Sequence, residues 1–211
     1  MYNNSNPVLD QVNMCIKQGD FICIKGPSGS GKSTLLNIIG LIDDVTSGEY
    51  YLNNQETSKL NKTELARLRN EVFGFVFQQY HLIPYLTVKD NIMMPFLFGK
   101  KSFAQFSENA ILDFCEQFNI LTILEKRADL LSGGEKQRVS LVRAVIKNAE
   151  IIIADEPTGN LDEGNSLSVI EYLHTLNNEG KTVIMVTHNT AIWESAPNRY
   201  NLEKGNLEKY V

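Results

Sequence analysis

Two glycine-rich stretches and one acidic pair carry the chemistry that can be read from this chain. The first stretch is Gly26-Pro27-Ser28-Gly29-Ser30-Gly31-Lys32-Ser33, followed by Thr34. It fits the pattern GxxxxGK[ST], in which backbone N–H groups converge on phosphate oxygens, the lysine reaches the β and γ phosphates, and the hydroxyl reaches Mg2+. An apolar run precedes it and a helical pattern follows, as the phosphate-binding reading requires. The bland alternative is a glycine-rich turn, and the flanking strand and helix argue against it.

Asp155-Glu156 closes the apolar run from Ile151 to Ala154. Ligands of open α/β sheets bind at that end of the strands. An acidic pair there suits Mg2+ positioning by Asp155, with Glu156 orienting and polarising an attacking water. The alternative is an acidic cap on the next helix.

The second glycine-rich stretch is Leu131-Ser132-Gly133-Gly134-Glu135. Ser132 and Glu135 have capping-box spacing, and Val139, Val142 and Val145 follow at helical spacing, so a capped helix is predicted. Two glycines in a first helical turn cost about 1 kcal/mol each relative to alanine, which a plain cap does not need. Close approach of backbone to a phosphate does need them.

The elements that must position these groups alternate. Asp20 to Lys25 reads as a strand, and Leu35, Leu36, Ile38 and Ile39 mark the helix after the glycine loop. Glu49 to Leu52 reads as a strand followed by a tight turn at Asn53-Asn54, and Val72 to Phe77 as another strand. From Thr87 to about Ala128 the pattern is helical, with Ile111, Leu112, Cys115 and Phe118 as its apolar positions. Glu150–Ala154 and Thr182–Val186 are continuous apolar runs, as expected of parallel strands covered on both faces. The whole reads as an α/β core with a helical insertion over 86–134.

Composition sets bounds on function. The 211 residues fit one domain and suffice for a core. A formal net charge of −5 supplies no overall basic field, so nucleic acid is not the expected partner. Cys15, Cys23 and Cys115 are scattered and form no CxxC pair, and they are expected as buried small hydrophobes in a reducing compartment. There is no run long enough to span a membrane and no signal pattern, so a cytoplasmic protein is expected, with any membrane part on another polypeptide. The sequons at Asn3 and Asn61 then carry no meaning.

Taken together, the chain resembles the nucleotide-binding subunits of ABC transporters over essentially its whole length, with Leu131–Glu135 similar to their signature motif. The resemblance implies a P-loop NTPase fold of α/β class: a RecA-like core with an antiparallel β subdomain (about 1–85 and 135–211) and an inserted α-helical subdomain (about 86–134). It implies ATP and Mg2+ as ligands. Phe75-Val76-Phe77-Gln78-Gln79 resembles the Q-loop, with Gln78 as the glutamine that contacts Mg2+ and water and Gln79 as the alternative. Thr158 to Asp162 looks like the D-loop, implying contacts across a dimer by Asp162, and His188 looks like the switch histidine that senses the γ-phosphate. Tyr2 stands where the family stacks an aromatic on adenine. Family domains usually open with a further strand, and only Met1 precedes Tyr2 here, which implies a missing edge strand or a truncated start.

The resemblance further implies a head-to-tail homodimer in which Ser132, Gly133, Gly134 and Glu135 of one subunit close on ATP held by the other. A separate membrane permease is the implied partner, docked against 80–100. For Tyr85, Ile92 and Phe96 the alternative is internal packing. Within the family the quoted motifs are most similar to the macrolide-exporter and lipoprotein-release class, implying export of peptide, antibiotic or lipoprotein. A cell-division ABC ATPase, working mechanically without transport, is the alternative.

Overall fold

The computed structural model describes residues 7–98, 108–159 and 161–210. Among these, six strands form one sheet in the order β4 (Phe73–Val76), β5 (Ile151–Asp155), β6 (Thr182–Val186), β1 (Phe21–Lys25), β7 (Asn198–Glu203) and β8 (Asn206–Tyr210). All neighbours are parallel except the β7–β8 hairpin. The apolar runs follow from burial on both faces. Phe21, Cys23, Val183 and Met185 point into one core cluster, while Ile22, Ile24, Ile184 and Val186 point into the other.

Helix α1 (Lys32–Ile39) packs Leu35, Leu36 and Ile39 into the second cluster, with helix α2 (Lys62–Val72) nearby. The first cluster takes helices α3 (Val88–Met93), α4 (Glu108–Gln117), α5 (Gly133–Val145), α6 (Glu163–Asn178) and α7 (Thr190–Ser195). Helix α5 lies directly on β4. A Cβ at Gly74 would sit 2.2 Å from the Ala144 carbonyl oxygen, so only glycine permits this approach.

Several boundaries differ from the sequence reading. The strand expected from Val72 is shorter, because Val72 ends the capped helix α2. The strand expected over 49–52 is β2 (Tyr51–Leu52), joined to β3 (Gln55–Glu56) by Asn53 and Asn54, both left-handed at φ 50° and 62°. The stretch expected to be helical over 87–128 is broken: α3 gives way to a 3-10 turn at Met94–Leu97, where Pro95 supplies no N–H donor. Ile111, Cys115 and Phe118 are buried as expected, but Leu112 is exposed. Backbone pairing of Val88 and Lys89 with Lys126 and Leu124 returns the end of this stretch to its beginning.

Of the cysteines, Cys23 and Cys115 are buried, and Cys15 is exposed because it lies outside any strand. Among the described residues no helix is long and apolar enough to cross a membrane.

Candidate functional site

The glycine loop joins β1 to α1, and the sequence leaves that helix start open. Its N-cap is Gly31 at φ 101°, with no side-chain cap and no acidic residue in the first turn. The first N–H groups are therefore free of competing side-chain acceptors, and the helix end carries a partial positive charge. Lys32 Nζ donates to the carbonyls of Gly26 (2.9 Å) and Pro27 (2.8 Å), which fold the loop around its ammonium. Burial lowers the Lys32 pKa, opposed by the charges of Glu156 and Asp155.

The loop forms one wall of a cleft of about 300 Å3. Ser28, Gly29, Gly31, Lys32, Ser33 and Thr34 line it, facing Gln78, Asp155, Glu156 and His188. These come from the ends of β1, β4, β5 and β6, so parallel strand order converges four chain segments on one edge. Gly26, Pro27 and Ser30 shape the loop without lining the cleft.

Ser33 Oγ donates to Asp155 Oδ2 at 2.9 Å, bringing a hydroxyl and a carboxylate together. Glu156 has a left-handed backbone, φ 47°, and is 8% exposed. Its Oε2 accepts from the His188 backbone N–H at 3.1 Å. Its Oε1 lies 3.2 Å from His188 Nε2 but without hydrogen-bond geometry, and is buried with no donor. Desolvation raises the Glu156 pKa above the ordinary 4.5, against the lowering effects of the His188 N–H and ring and of Lys32, with the Asp155 charge adding to the rise. A buried carboxylate with a spare acceptor and raised basicity suits proton abstraction from water.

The Ser33–Asp155 oxygens suit a hard cation such as Mg2+, which keeps several waters and takes further ligands from phosphate. Among the described residues no group of three or more His, Cys, Asp or Glu is placed to hold a metal ion.

Gln78 lines the cleft and Gln79 does not. The chain turns sharply after Gln78: Tyr80 N–H donates to the Phe77 carbonyl, and Tyr80 and His81 are both left-handed at φ 60° and 45°. Each such non-glycine residue costs about 1–2 kcal/mol. Arg143, on the last turn of α5, donates to the carbonyls of both, at 2.6 Å each. Burial lowers its pKa to about 10, so it stays charged at neutral pH. The sequence reading missed this residue, although a lone arginine among Leu141, Val142, Ala144 and Val145 was a signal for a half-buried, paired cation.

The signature residues do not line this cleft. Ser132 caps α5, accepting from Glu135 N–H, and Glu135 Oε2 accepts from Ser132 N–H at 2.6 Å. The Glu135 carboxylate is thus engaged in its own cap, with Lys126 3.6 Å away, and its pKa is lowered chiefly by the Ser132 N–H. Asp162 caps α6 and accepts from Asn165 N–H (2.9 Å) and Nδ2 (2.7 Å). Asn165 also accepts from Arg138 of α5 and lies 3.3 Å from a Cβ built at Gly134. The D-loop and signature helices are therefore packed together through a residue that the sequence did not single out. Tyr2 and Asn160 lie outside the described residues. Val8, also unforeseen, lines the cleft, and its carbonyl stands 3.0 Å from a Cβ built at Gly31.

Comparison with known proteins agrees with this geometry. A sequence profile of the ABC transporter family matches residues 9–159. The macrolide export ATP-binding/permease protein MacB of Campylobacter jejuni is 41% identical over 202 residues, 96% of this chain and 31% of that protein. MacB of Burkholderia pseudomallei is 44% identical over 200 residues, 95% of this chain and 30% of that protein. The chain thus spans less than a third of the length of those relatives. The dimeric structure of the bacterial ABC transporter cassette MJ0796 superposes with a TM-score of 0.87 at 39% identity, covering 96% of this chain and 90% of the other. A post-hydrolysis dimer of that cassette with ADP and Pi gives 0.88 at 38% identity, covering 99% and 94%. With its glycine loop, acidic pair and capped signature helix set on this sheet, the chain belongs to the ABC transporter family, as one of its ATP-binding cassettes.

Proposed function

We propose that the chain binds and hydrolyses ATP as a head-to-tail homodimer and drives a membrane permease of the macrolide-exporter class. The observation that carries the hydrolytic reading is Glu156, a buried carboxylate that lines the cleft with Lys32 and Asp155 and has one oxygen without a hydrogen bond, 3.2 Å from the His188 ring. Glu156 accepts a proton from water as the water attacks the γ-phosphorus, the bond from that phosphorus to the bridging oxygen breaks, and ADP and inorganic phosphate leave. His188, whose backbone N–H donates to Glu156, is the proposed contact of the γ-phosphate. Lys32 and the open α1 N-terminus hold the phosphates. Mg2+, held by Ser33 and Asp155 with Gln78 nearby, would neutralise charge on the β- and γ-phosphate oxygens. Tyr2 is the proposed adenine-stacking residue.

Ser132, Gly133 and Gly134 are proposed to complete the partner's site. Their position outside the cleft supports action across a dimer, as does the likeness to dimeric cassettes. For the permease, the surface of 80–100 divides. Ile92 and Phe96 are buried, so they serve internal packing. Tyr85, Leu97 and Phe98 are more than 70% exposed and form the docking proposal. The likeness to macrolide export proteins supports an antibiotic cargo of that kind, with peptide or lipoprotein as the other proposed cargoes.

Glu156→Gln is the test. It should bind ATP with Mg2+, hydrolyse it at least about 100-fold more slowly, and elute as a dimer in ATP but not in ADP. Hydrolysis at the normal rate would remove Glu156 from the role of base.

A further inference from the structure

Gln78 faces the acidic pair from a loop that follows the end of β4. Its side chain can hold a useful position only if the backbone behind it is fixed. The residues that follow make this demanding. Tyr80 and His81 are consecutive left-handed non-glycine residues, and His81 N–H turns back to the Gln79 carbonyl at 2.6 Å. The ring of His81 packs on Phe77, at 4.5 Å between centroids, so Gln78 sits at the crown of a closed turn.

We propose that Arg143 is the positioning residue for Gln78. Its guanidinium, carried on the last turn of α5, holds the Tyr80 and His81 carbonyls and so sets Gln78 against Asp155, Glu156 and His188. The planar fork is well matched to two successive carbonyls. Nη1 serves one and Nη2 the other, so each carbonyl has its own donor in a rigid plane. The backbone of α5 is itself fixed, because it rests on Gly74 of β4, the strand that leads into Gln78. Strand and clamp thus grip the turn from both ends. The same helix begins at the signature residues, about 15 Å away at 1.5 Å per residue. One rigid rod therefore carries both the signature and the clamp. The proposal rests on reading Gln78 as a site residue.

The test uses the whole chain with Mg-ATP and compares Arg143→Gln, Arg143→Lys, Gln78→Ala and the Arg143→Gln/Gln78→Ala double variant. Positioning predicts that Arg143→Gln lowers kcat at least about tenfold while KM for ATP stays within about threefold. Amide hydrogen exchange over 79–83 should rise in Arg143→Gln, Arg143→Lys should recover part of both, and the double variant should be no slower than Gln78→Ala alone. Should Arg143→Gln fail to fold, Arg143→Lys carries the same readouts. A normal kcat in folded Arg143→Gln, where Gln78→Ala is slow, would overturn the proposal alone. So would additive losses in the double variant. If Gln78→Ala hydrolyses ATP normally, the reading of Gln78 fails first and the proposal falls with it.

Discussion

Glu156 pays for its position three times over: a left-handed backbone, near-complete burial and an oxygen without a donor. Strain of this kind persists where surrounding structure enforces it, and such residues cluster at functional sites. The raised pKa has a consequence for stability. Folding favours the neutral form, so the contribution is whole below the ordinary value of 4.5 and is lost as pH rises through the higher folded value. Glu156→Gln is permanently neutral. It should therefore melt above the parent chain at pH 7.5, by about 2–4 °C for each kcal/mol relieved in a chain of this size. At pH 4 the two should converge, which paired thermal melts would read.

At the scale of elements, the helix starts divide by purpose. Asn61, Thr87, Ser132, Asp162 and Asn189 cap α2, α3, α5, α6 and α7 with their side chains, whereas α1 begins on glycine without a cap. Among these described helix starts, the uncapped one faces the cleft. Ser132→Ala should cost about 1 kcal/mol of stability through the lost cap. A melting-point drop of about 2–4 °C would register it. Because Ser132 is also proposed to meet the partner's ATP, hydrolysis at a temperature where the variant is folded should fall further than the cap alone explains. A loss confined to the melting point would leave Ser132 a cap only. Helix α5 was legible because Ser132, Glu135 and the valines at helical spacing all agreed. The broken helices between 87 and 128 were not, since periodicity does not reveal where Pro95 and the pairing back to Lys126 interrupt them.

For the whole molecule, the decisive fact is a separation. The glycine loop, Asp155, Glu156 and His188 share a cleft, while Ser132 to Gly134 stand outside it. If each site is built from two subunits, two dead variants can rescue one another. Lys32→Ala and Gly134→Asp should each abolish hydrolysis. Mixed in equal amounts they should regain about a quarter of the parent rate, since half the dimers are mixed and each of those has one intact site. No recovery, with mixed dimers present, would return the signature to a role within its own subunit.

The sequence alone determined the chemistry and the order of the motifs. Phosphate cradling needs glycine, lysine and hydroxyl at fixed spacing, and a buried strand needs an unbroken apolar run; both are local requirements written in adjacent residues. Only the tertiary structure decided which distant residues share a surface. Strand order brought Gln78, Asp155 and His188 to one edge and put the signature elsewhere. Close packing of α5 on Gly74 placed Arg143 against Tyr80 and His81, and the joining of two helix ends placed Asn165 beside Gly134. Such pairings join residues far apart in sequence, so no local pattern encodes them; they follow from which faces the folded sheet and helices bury together.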